Sequence, residues 1–250
     1  MLNSNIESKL MSTISSAGEI DELIFLGHAG FILKNHETAL LMDPWIYGKA
    51  FMGSWQINPY LEPEYRFKRV LDIISHCQDL YIWISHEHSD HFDKWFVKKL
   101  IDQYEKEINF LIPAFPGNSL KKRLSDIGVT NVGSMLDLEQ IKINGFGEIQ
   151  IFFERPYYSE HSSLLVQAKD ISIFHNSDST MSSNQLNYAK NKIGNIDIYI
   201  GQYGPSSPFP KVMEWTDEEK QIHQSNHEKW ALDRYLNAKN ILNPYLGLMC

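Results

Sequence analysis

Short apolar runs dominate this chain, and segments with helical spacing separate groups of them. Runs of this length predict buried or half-buried strands, whereas apolar residues that recur every third or fourth position predict helices. The predicted strands are two within residues 22–35, joined by a turn at 27–30, and one each over 38–42, 80–84, 109–112, 129–132, 139–143, 148–154, 162–168, 171–175, 196–200 and 241–242. The predicted helices cover 64–76, 93–107, 118–127, 183–192 and 216–239. Because strands outnumber helices and helices fall between groups of strands, we expect two sheets with helices outside both.

The domain organisation follows from what the chain lacks between these segments. No linker, repeat or low-complexity stretch divides its 250 residues, so we expect a polar lead-in over 1–20 and a single domain over 21–250. Residues 1–18 lack the apolar segment of a signal peptide, and no apolar run reaches the length that crosses a bilayer. With Cys77 and Cys250 as the only cysteines, we expect a reducing compartment. The prediction is a cytoplasmic protein with no membrane partner.

The charge balance bears on the class of partner. The chain has a formal net charge of -8, and its densest basic run, residues 121–123, fits the solvated face of a helix. Phosphate backbones require clustered lysine and arginine, which argues against a nucleic acid. Hydrophobic residues make up 43% of the chain, enough for a substantial core. We therefore expect a small-molecule substrate.

The strongest chemical signal follows the apolar run 80–84. His86, His88, Asp90 and His91 lie within six residues in the sequence His-Glu-His-Ser-Asp-His. Imidazole nitrogens and carboxylate oxygens together suit zinc, iron or manganese. Two histidines spaced two apart at a strand end can point their rings in one direction. This stretch therefore predicts a site for one or two divalent metal ions, whose identity stays open.

The His-x-His-x-Asp-His string resembles that of the metallo-β-lactamase superfamily. The resemblance implies an α/β fold, a four-layer αββα sandwich with metals at one edge of its two sheets. Residues 26–31 and 41–44 resemble the ascorbate-6-phosphate lactonase-like branch of the superfamily. Residues 50–56 and 201–210 are similar to the metallo-β-lactamase-like domain of CMP-N-acetylneuraminate hydroxylase.

By position, the resemblance implies two sets of metal ligands. The ligands implied for the first metal are His86, His88 and His161. The ligands implied for the second metal are Asp90, His91 and Asp178, with Asp178 bridging the two metals. On residue type alone, His161 also fits a surface position and Asp178 fits a turn.

The chain departs from the hydrolase pattern at the last ligand of the second metal. The family has a histidine shortly after the proline of its final strand, where this chain has Leu246. Three groups remain candidates to replace that histidine as a ligand: His28, His175 and the terminal carboxylate. Asp43 matches a carboxylate that accepts the free ring N–H of a ligand histidine, although it also suits a turn before Pro44.

Two reaction classes and one non-catalytic role follow from this site. The first is hydrolysis of an ester, lactone or phosphoester by a metal-bound hydroxide, since a metal lowers the pKa of bound water to about 7. Asp90 and Asp178 would orient that water, and His28 would contact the substrate. The alternative is a non-haem iron oxygenase with an external redox partner, because two isolated cysteines cannot supply a Rieske cluster. The third is a binding or scaffold protein with a vestigial site.

The substrate and the oligomeric state stay open. Aromatic residues in the loop 45–63 suit either a substrate wall or a homo-oligomer interface. Four cationic side chains are available to contact an anionic substrate: Lys49, Arg66, Arg155 and Lys211. Each of them also suits a solvated surface position.

Overall fold

A computed structural model of the chain describes residues 13–15, 20–57, 61–117, 119–143, 147–154, 160–169, 171–203 and 213–250. The strands are β1 (Thr13–Ser15), β2 (Glu22–Gly27), β3 (Gly30–Lys34), β4 (Thr38–Met42), β5 (Asp79–Trp83), β6 (Ile108–Pro113), β7 (Val132–Met135), β8 (Gln140–Ile143), β9 (Gly147–Phe153), β10 (Ser162–Gln167), β11 (Ser172–His175), β12 (Ile198–Gly201) and β13 (Leu246–Met249). The α-helices are α1 (Pro63–Ile74), α2 (Lys94–Gln103), α3 (Ser119–Asp126), α4 (Ser183–Ile193) and α5 (Asp217–Leu242), and a 3-10 turn covers Phe51–Gly53. None of the helices in these ranges is long and apolar enough to span a bilayer.

The strands form two sheets. The first has seven strands in the order β1 to β7, antiparallel from β1 to β4 and parallel from β4 to β7. The second has six strands in the order β13-β12-β11-β10-β9-β8, antiparallel from β8 to β11 and parallel from β11 to β13. Each sheet therefore combines hairpins with parallel crossovers that carry the helices.

Three apolar clusters define four layers. One cluster lies between the sheets and includes Leu40 and Trp83 from the first sheet and Ile151 and Ile173 from the second. Helices α1 to α3 cover the outer face of the first sheet. Helices α4 and α5 cover the outer face of the second sheet. The predicted αββα sandwich is confirmed.

The predicted strand over 129–132 is wrong at its start, because β7 begins at Val132. Gly128 adopts the left-handed region at φ 96° and ends helix α3. The Val129 amide then donates to the Leu124 carbonyl at 3.1 Å, and its side chain is buried under the helix layer. The apolar residue thus closes a helix rather than opening a strand.

The predicted strand over 241–242 is also wrong, because α5 continues to Leu242. The capping box of Thr216 and Glu219 starts this helix as expected, and Asn243 ends it in the left-handed conformation at φ 48°. Leu242 is buried against the second sheet, which explains its apolar character. Within the predicted lead-in, residues 13–15 form β1, while residues 1–12 and 16–19 lie outside the described residues.

One edge of the sandwich gathers the loops that carry the chemistry. The strands β4 and β5 are parallel, so the loops that follow them leave the same edge. The turn between β2 and β3 lies beside them, because Phe31 pairs with Met42 at the end of β4. In the second sheet, Leu164 of β10 pairs with His175 of β11, which places the start of β10 at the end of β11. Both sheets therefore present histidine and aspartate side chains at one edge.

Candidate metal centre

The loop after β5 holds the predicted His-x-His-x-Asp-His string in a tight turn. The amides of His91 and Phe92 both donate to the His88 carbonyl, at 3.0 and 2.7 Å. Ser162 Oγ donates to the Ser85 carbonyl at 2.8 Å and so ties this loop to the second sheet. Asp93 then caps helix α2 by accepting from the Trp95 and Phe96 amides. The backbone thus fixes both ends of the string.

The structure brings together His86, His88 and His161, which we call the first group. One ring nitrogen from each lies within 4.8 Å of the others. His86 Nε2 and His88 Nδ1 are 2.9 Å apart, and the His86 and His161 ring centroids are 4.3 Å apart. These are the three residues predicted for the first metal, and their role as ligands stays a prediction.

A second group consists of His28, Asp90 and His91, again with donor atoms within 4.8 Å of one another. His28 Nε2 lies 3.0 Å from Asp90 Oδ2, and His91 Nε2 lies 3.8 Å from the same oxygen. His28 comes from the turn between β2 and β3, where its φ is 51°. The spacing of residues in the sequence did not favour His28 over the other candidates to replace the missing histidine. The structure places His28 in the second group.

Asp178 lies between the two groups. Its Oδ2 is 3.9 Å from His86 Nε2 and 3.5 Å from His91 Nε2, and these three donors form a third set within 4.8 Å. The residue follows β11, so the second sheet supplies it. The resemblance implied that Asp178 bridges two metals, and this role stays a prediction.

Several donor atoms at the edge are buried without hydrogen bonds. His28 Nε2, Asp90 Oδ1 and His91 Nε2 have no hydrogen-bond partner, although His28 and Asp90 are in close contact. Burying a polar atom without a partner is unfavourable, so such atoms call for another ligand. Imidazole nitrogens and a carboxylate oxygen that converge in this way fit a divalent metal ion.

Asp43 supports the centre from behind. Its Oδ1 accepts from the Ser85 amide at 2.7 Å, and its Oδ2 accepts from Ser85 Oγ and Ser177 Oγ, both at 2.7 Å. The same Oδ2 is 2.9 Å from His91 Nδ1. A carboxylate at Nδ1 fixes the ring so that Nε2 faces the centre. The sequence indicated this role for Asp43 but gave no sign of the two serines.

Of the other candidate substitutes for the missing histidine, His175 already has partners within the protein. His175 is fully buried; its Nε2 is 2.9 Å from the Ala29 carbonyl, and its Nδ1 accepts from the Ser177 amide at 3.1 Å. Both nitrogens of this ring are therefore occupied. Leu246 begins β13 and pairs with Ile198, so the position of the missing ligand is part of a strand.

One histidine from each group has a shifted pKa, and the two shifts are in opposite directions. Burial, together with the nearby His91 and His161, lowers the pKa of His86 well below its ordinary value of 6.5. Burial also opposes the charge on His91, but Asp178 and Asp43 outweigh it and raise the pKa of His91 well above that value. In turn, His91 holds the pKa of Asp178 below its usual range despite burial. Asp178 is therefore ionised at neutral pH.

The surroundings predicted to contact substrate are described in part. Trp45 is buried, and its ring packs edge-on against His28 at 5.4 Å. The Phe51 amide donates to Ser89 Oγ at 2.8 Å, which places the 3-10 turn beside the metal loop.

Of the four candidate cations, Arg66 is buried and Lys49 exposed, and both Arg155 and Lys211 lie outside the described residues. Residues 58–60 of the aromatic loop 45–63 lie outside the described residues, and so do residues 204–212, which include most of the stretch 201–210.

Comparison with known proteins gives the family. Residues 22–204 match the beta-lactamase superfamily domain. The chain belongs to this superfamily. Its αββα layers and its edge of histidines and aspartates are those of a metallo-β-lactamase fold metal enzyme. The resemblance to the ascorbate-6-phosphate lactonase-like branch is not confirmed and stays a prediction.

Relatives of this superfamily member include iron proteins and hydroxylases. A protein of Mycolicibacterium smegmatis, provisionally described as a Rieske 2Fe-2S iron-sulfur protein, is 23% identical over 84% of this chain and 39% of its own length. Cytidine monophosphate-N-acetylneuraminic acid hydroxylase of Gorilla gorilla gorilla is 31% identical over 47% of this chain and 18% of its own. The crystal structure of CmlA, a diiron β-hydroxylase from Streptomyces venezuelae, covers 87% of this chain and 44% of its own with a TM-score of 0.54 and 18% identity. The chain thus spans less than half the length of these relatives.

Proposed function

We propose that this protein is a non-haem iron oxygenase that hydroxylates a small-molecule substrate at a dinuclear centre. The observation that carries the proposal is Asp178 Oδ2, which lies within 3.9 Å of a nitrogen from His86 and within 3.5 Å of one from His91. A carboxylate between two nitrogen-rich groups, with no thiolate among them, suits a pair of iron ions. The hydroxylase and diiron names of the relatives support iron over zinc.

Some residues would bind the metals of such a centre, and others would hold those ligands in position. The first group would hold one metal and the second group the other, with Asp178 shared. When bound, iron would supply the activation of dioxygen. Asp43 fixes the His91 ring through its 2.9 Å contact with Nδ1, and Ser85 and Ser177 fix Asp43. Trp45 packs edge-on against the His28 ring and supports its position.

The reaction requires an electron donor. Hydroxylation places one oxygen atom of dioxygen in a substrate C–H bond and releases the other as water, which consumes two electrons and two protons. Cys77 is buried beside the helices of the first sheet, and Cys250 follows β13 of the second, so these thiols cannot share a cluster. We propose that a Rieske-type iron-sulfur protein supplies the electrons, as the description of the mycobacterial relative suggests.

Hydrolysis is the second candidate, and Asp90 favours it. Asp90 Oδ1 is buried without a hydrogen-bond partner, so it could accept a proton from a water molecule at the centre. A hydrolase of this kind would cleave an ester, lactone or phosphoester. It would need neither iron nor an electron donor.

Metal content and oxygen dependence separate the two candidates. Protein purified without chelators is analysed for metals and reduced with dithionite. The excess dithionite, which itself consumes oxygen, is removed anaerobically before the protein is mixed with oxygen and oxygen uptake is recorded. In parallel, p-nitrophenyl acetate and bis(p-nitrophenyl) phosphate are assayed with and without air. Iron with reductant-dependent oxygen uptake supports the oxygenase. Zinc or manganese, with ester cleavage that is equal in air and under argon, contradicts it and supports the hydrolase.

A further inference from the structure

Arg234 reaches from helix α5 to the edge that holds the metal centre. Its Nη1 donates to Thr180 Oγ1 at 2.9 Å, and its Nη2 donates to Gln202 Oε1 at 2.5 Å. Thr180 lies two residues beyond Asp178, and Gln202 directly follows β12. The guanidinium is therefore held where β11 and β12 deliver their loops to the centre.

The positive charge of Arg234 has no direct counter-charge in the ranges that the structure describes. Its two hydrogen-bond acceptors are a hydroxyl and an amide, both neutral. The ring of Trp230 lies 4.8 Å from the guanidinium carbon. The carboxylates of Asp178 and Glu154 act on Arg234 only from a longer range, without forming an ion pair. A partly buried cation held by neutral groups attracts an anion more strongly than one paired with a carboxylate.

The guanidinium also keeps donors in reserve. Arginine has more N–H groups than these two acceptors use, and its planar fork matches the two oxygens of a carboxylate or phosphate. The hydrogen bonds to Thr180 and Gln202 fix the plane of the guanidinium before an anion binds. Little side-chain entropy is therefore lost on binding. By contrast, Arg123 at the same edge is occupied, because it donates to the Glu87 carbonyl and lies 3.6 Å from the Glu87 carboxylate.

We propose that Arg234 binds an anionic group of the substrate, a carboxylate or a phosphate, and so orients the substrate at the metal centre. The proposal deepens the proposed function, because it names the chemical class of the molecule that the centre would act on. The competing explanation is that Arg234 only joins α5 to the Asp178 loop. That structural role predicts an effect on folding and none on anion affinity.

Anion binding by metal-free protein tests the proposal independently of the reaction. Removing metal with a chelator, followed by dialysis, prevents anions from binding to the metal itself. Inorganic phosphate and acetate are titrated separately into the wild type by calorimetry. The matched control is R69Q, because Arg69 also donates to a neutral acceptor, Tyr65 Oη at 3.2 Å, and lies over that ring on the outer helix α1.

We expect R234Q to weaken binding of the preferred anion at least tenfold and R69Q to leave it unchanged. R234K keeps the charge but loses the fork, so it should weaken binding about threefold to tenfold. If R234Q unfolds, as judged by circular dichroism and Tm, R234K decides the comparison. Equal affinities in the wild type and a folded Arg234 variant would overturn the proposal.

The two anions identify the source of the negative charge. Tighter binding of inorganic phosphate indicates a phosphorylated substrate, and tighter binding of acetate indicates a carboxylic acid. If neither anion binds to the wild type, the proposal is wrong. This outcome leaves the oxygenase test untouched, because oxygen uptake depends on the metal ligands, whereas anion binding by the metal-free protein does not.

Discussion

The first and second groups lie side by side but differ in charge and burial. The first group consists of imidazoles alone, and His88 is exposed. The second group includes the buried Asp90, and His91 lies between Asp43 and Asp178. The pKa of His86 is therefore lowered by burial and by neighbouring histidines, whereas carboxylates raise the pKa of His91.

This difference predicts an order of metal binding. Metals bind neutral imidazole, and His86 is neutral at physiological pH. His91 must first lose a proton that two carboxylates stabilise. We therefore expect the first group to bind metal first and the second group to set the pH dependence of the complete centre.

Replacing His86 with alanine should have the largest effect, because His86 contributes to the first group and to the set around Asp178. We expect H86A to retain less than about a tenth of the wild-type metal and to lose activity by a factor of about a thousand or more. Elemental analysis and the oxygen-uptake assay measure both. H36A is the matched control, since His36 is exposed and lies away from the centre. Normal metal content in H86A would exclude His86 as a metal ligand.

Replacing His28 with alanine should separate the two groups. We expect H28A to retain metal in the first group and to lose the metal of the second group, which halves the metal content and abolishes reductant-dependent oxygen uptake. Titration of iron(II) into the metal-free variant measures the stoichiometry. H175A is a useful comparison, because both nitrogens of His175 already have partners. An H28A protein that binds as much metal as the wild type would rule out His28 as a ligand.

Replacing Asp43 with asparagine should weaken the second group without removing a ligand. The amide cannot stabilise the His91 ring as the carboxylate does, so we expect a loss of about tenfold to a hundredfold in affinity for the second metal. The first metal should bind with nearly wild-type affinity. Competition against a chromogenic chelator resolves the two affinities. Equal losses at both metals would instead indicate a general loss of structure.

The pH dependence of metal binding should differ between the groups. Affinity for the second metal should rise about tenfold per pH unit while His91 is protonated, and level off above the raised pKa of His91. Affinity for the first metal should depend less on pH above 6.5, because burial and neighbouring histidines lower the pKa values of His86 and His88 from that value. Iron(II) or zinc titrations at several pH values between about 6 and 9 measure both affinities. Parallel slopes for both metals would contradict the difference in charge.

The smallest effect is expected at Glu154, whose Oε2 lies 3.1 Å from His161 Nδ1. E154Q keeps the shape of the side chain but removes its charge, so affinity for the first metal should fall by about tenfold or less. Isothermal titration at fixed pH measures this loss. A larger loss than in D43N would show that the first group depends more on its supporting carboxylate than the second does.

Much of the fold was predictable because the periodicity of apolar residues is local. The two strand errors, at 129–132 and 241–242, arose where apolar residues close a helix, since burial at a helix end leaves the same short pattern as a strand. Gly128 and Asn243 carried the correcting signal, because both residues favour the left-handed end of a helix.

The centre was predictable where its residues follow one another. The spacing of His86, His88 and His91 is visible along the chain, but the approach of His28 depends on how two loops meet. Gly30 permits that approach, because a Cβ there would lie 3.1 Å from the Gly27 carbonyl and 3.2 Å from that of Asp43. The position of Arg234 near the centre could not be predicted from the sequence, since Thr180 and Gln202, which it contacts, are far from it along the chain.

The proposed metal centre is a pair of metals that share Asp178. Crystals of iron-loaded protein, measured at the iron absorption edge, test it most directly through anomalous difference maps. We expect two peaks, one among His86, His88 and His161 and one among His28, Asp90 and His91, with the Asp178 carboxylate between them. A single peak, or a second peak away from His28 and Asp90, would contradict it.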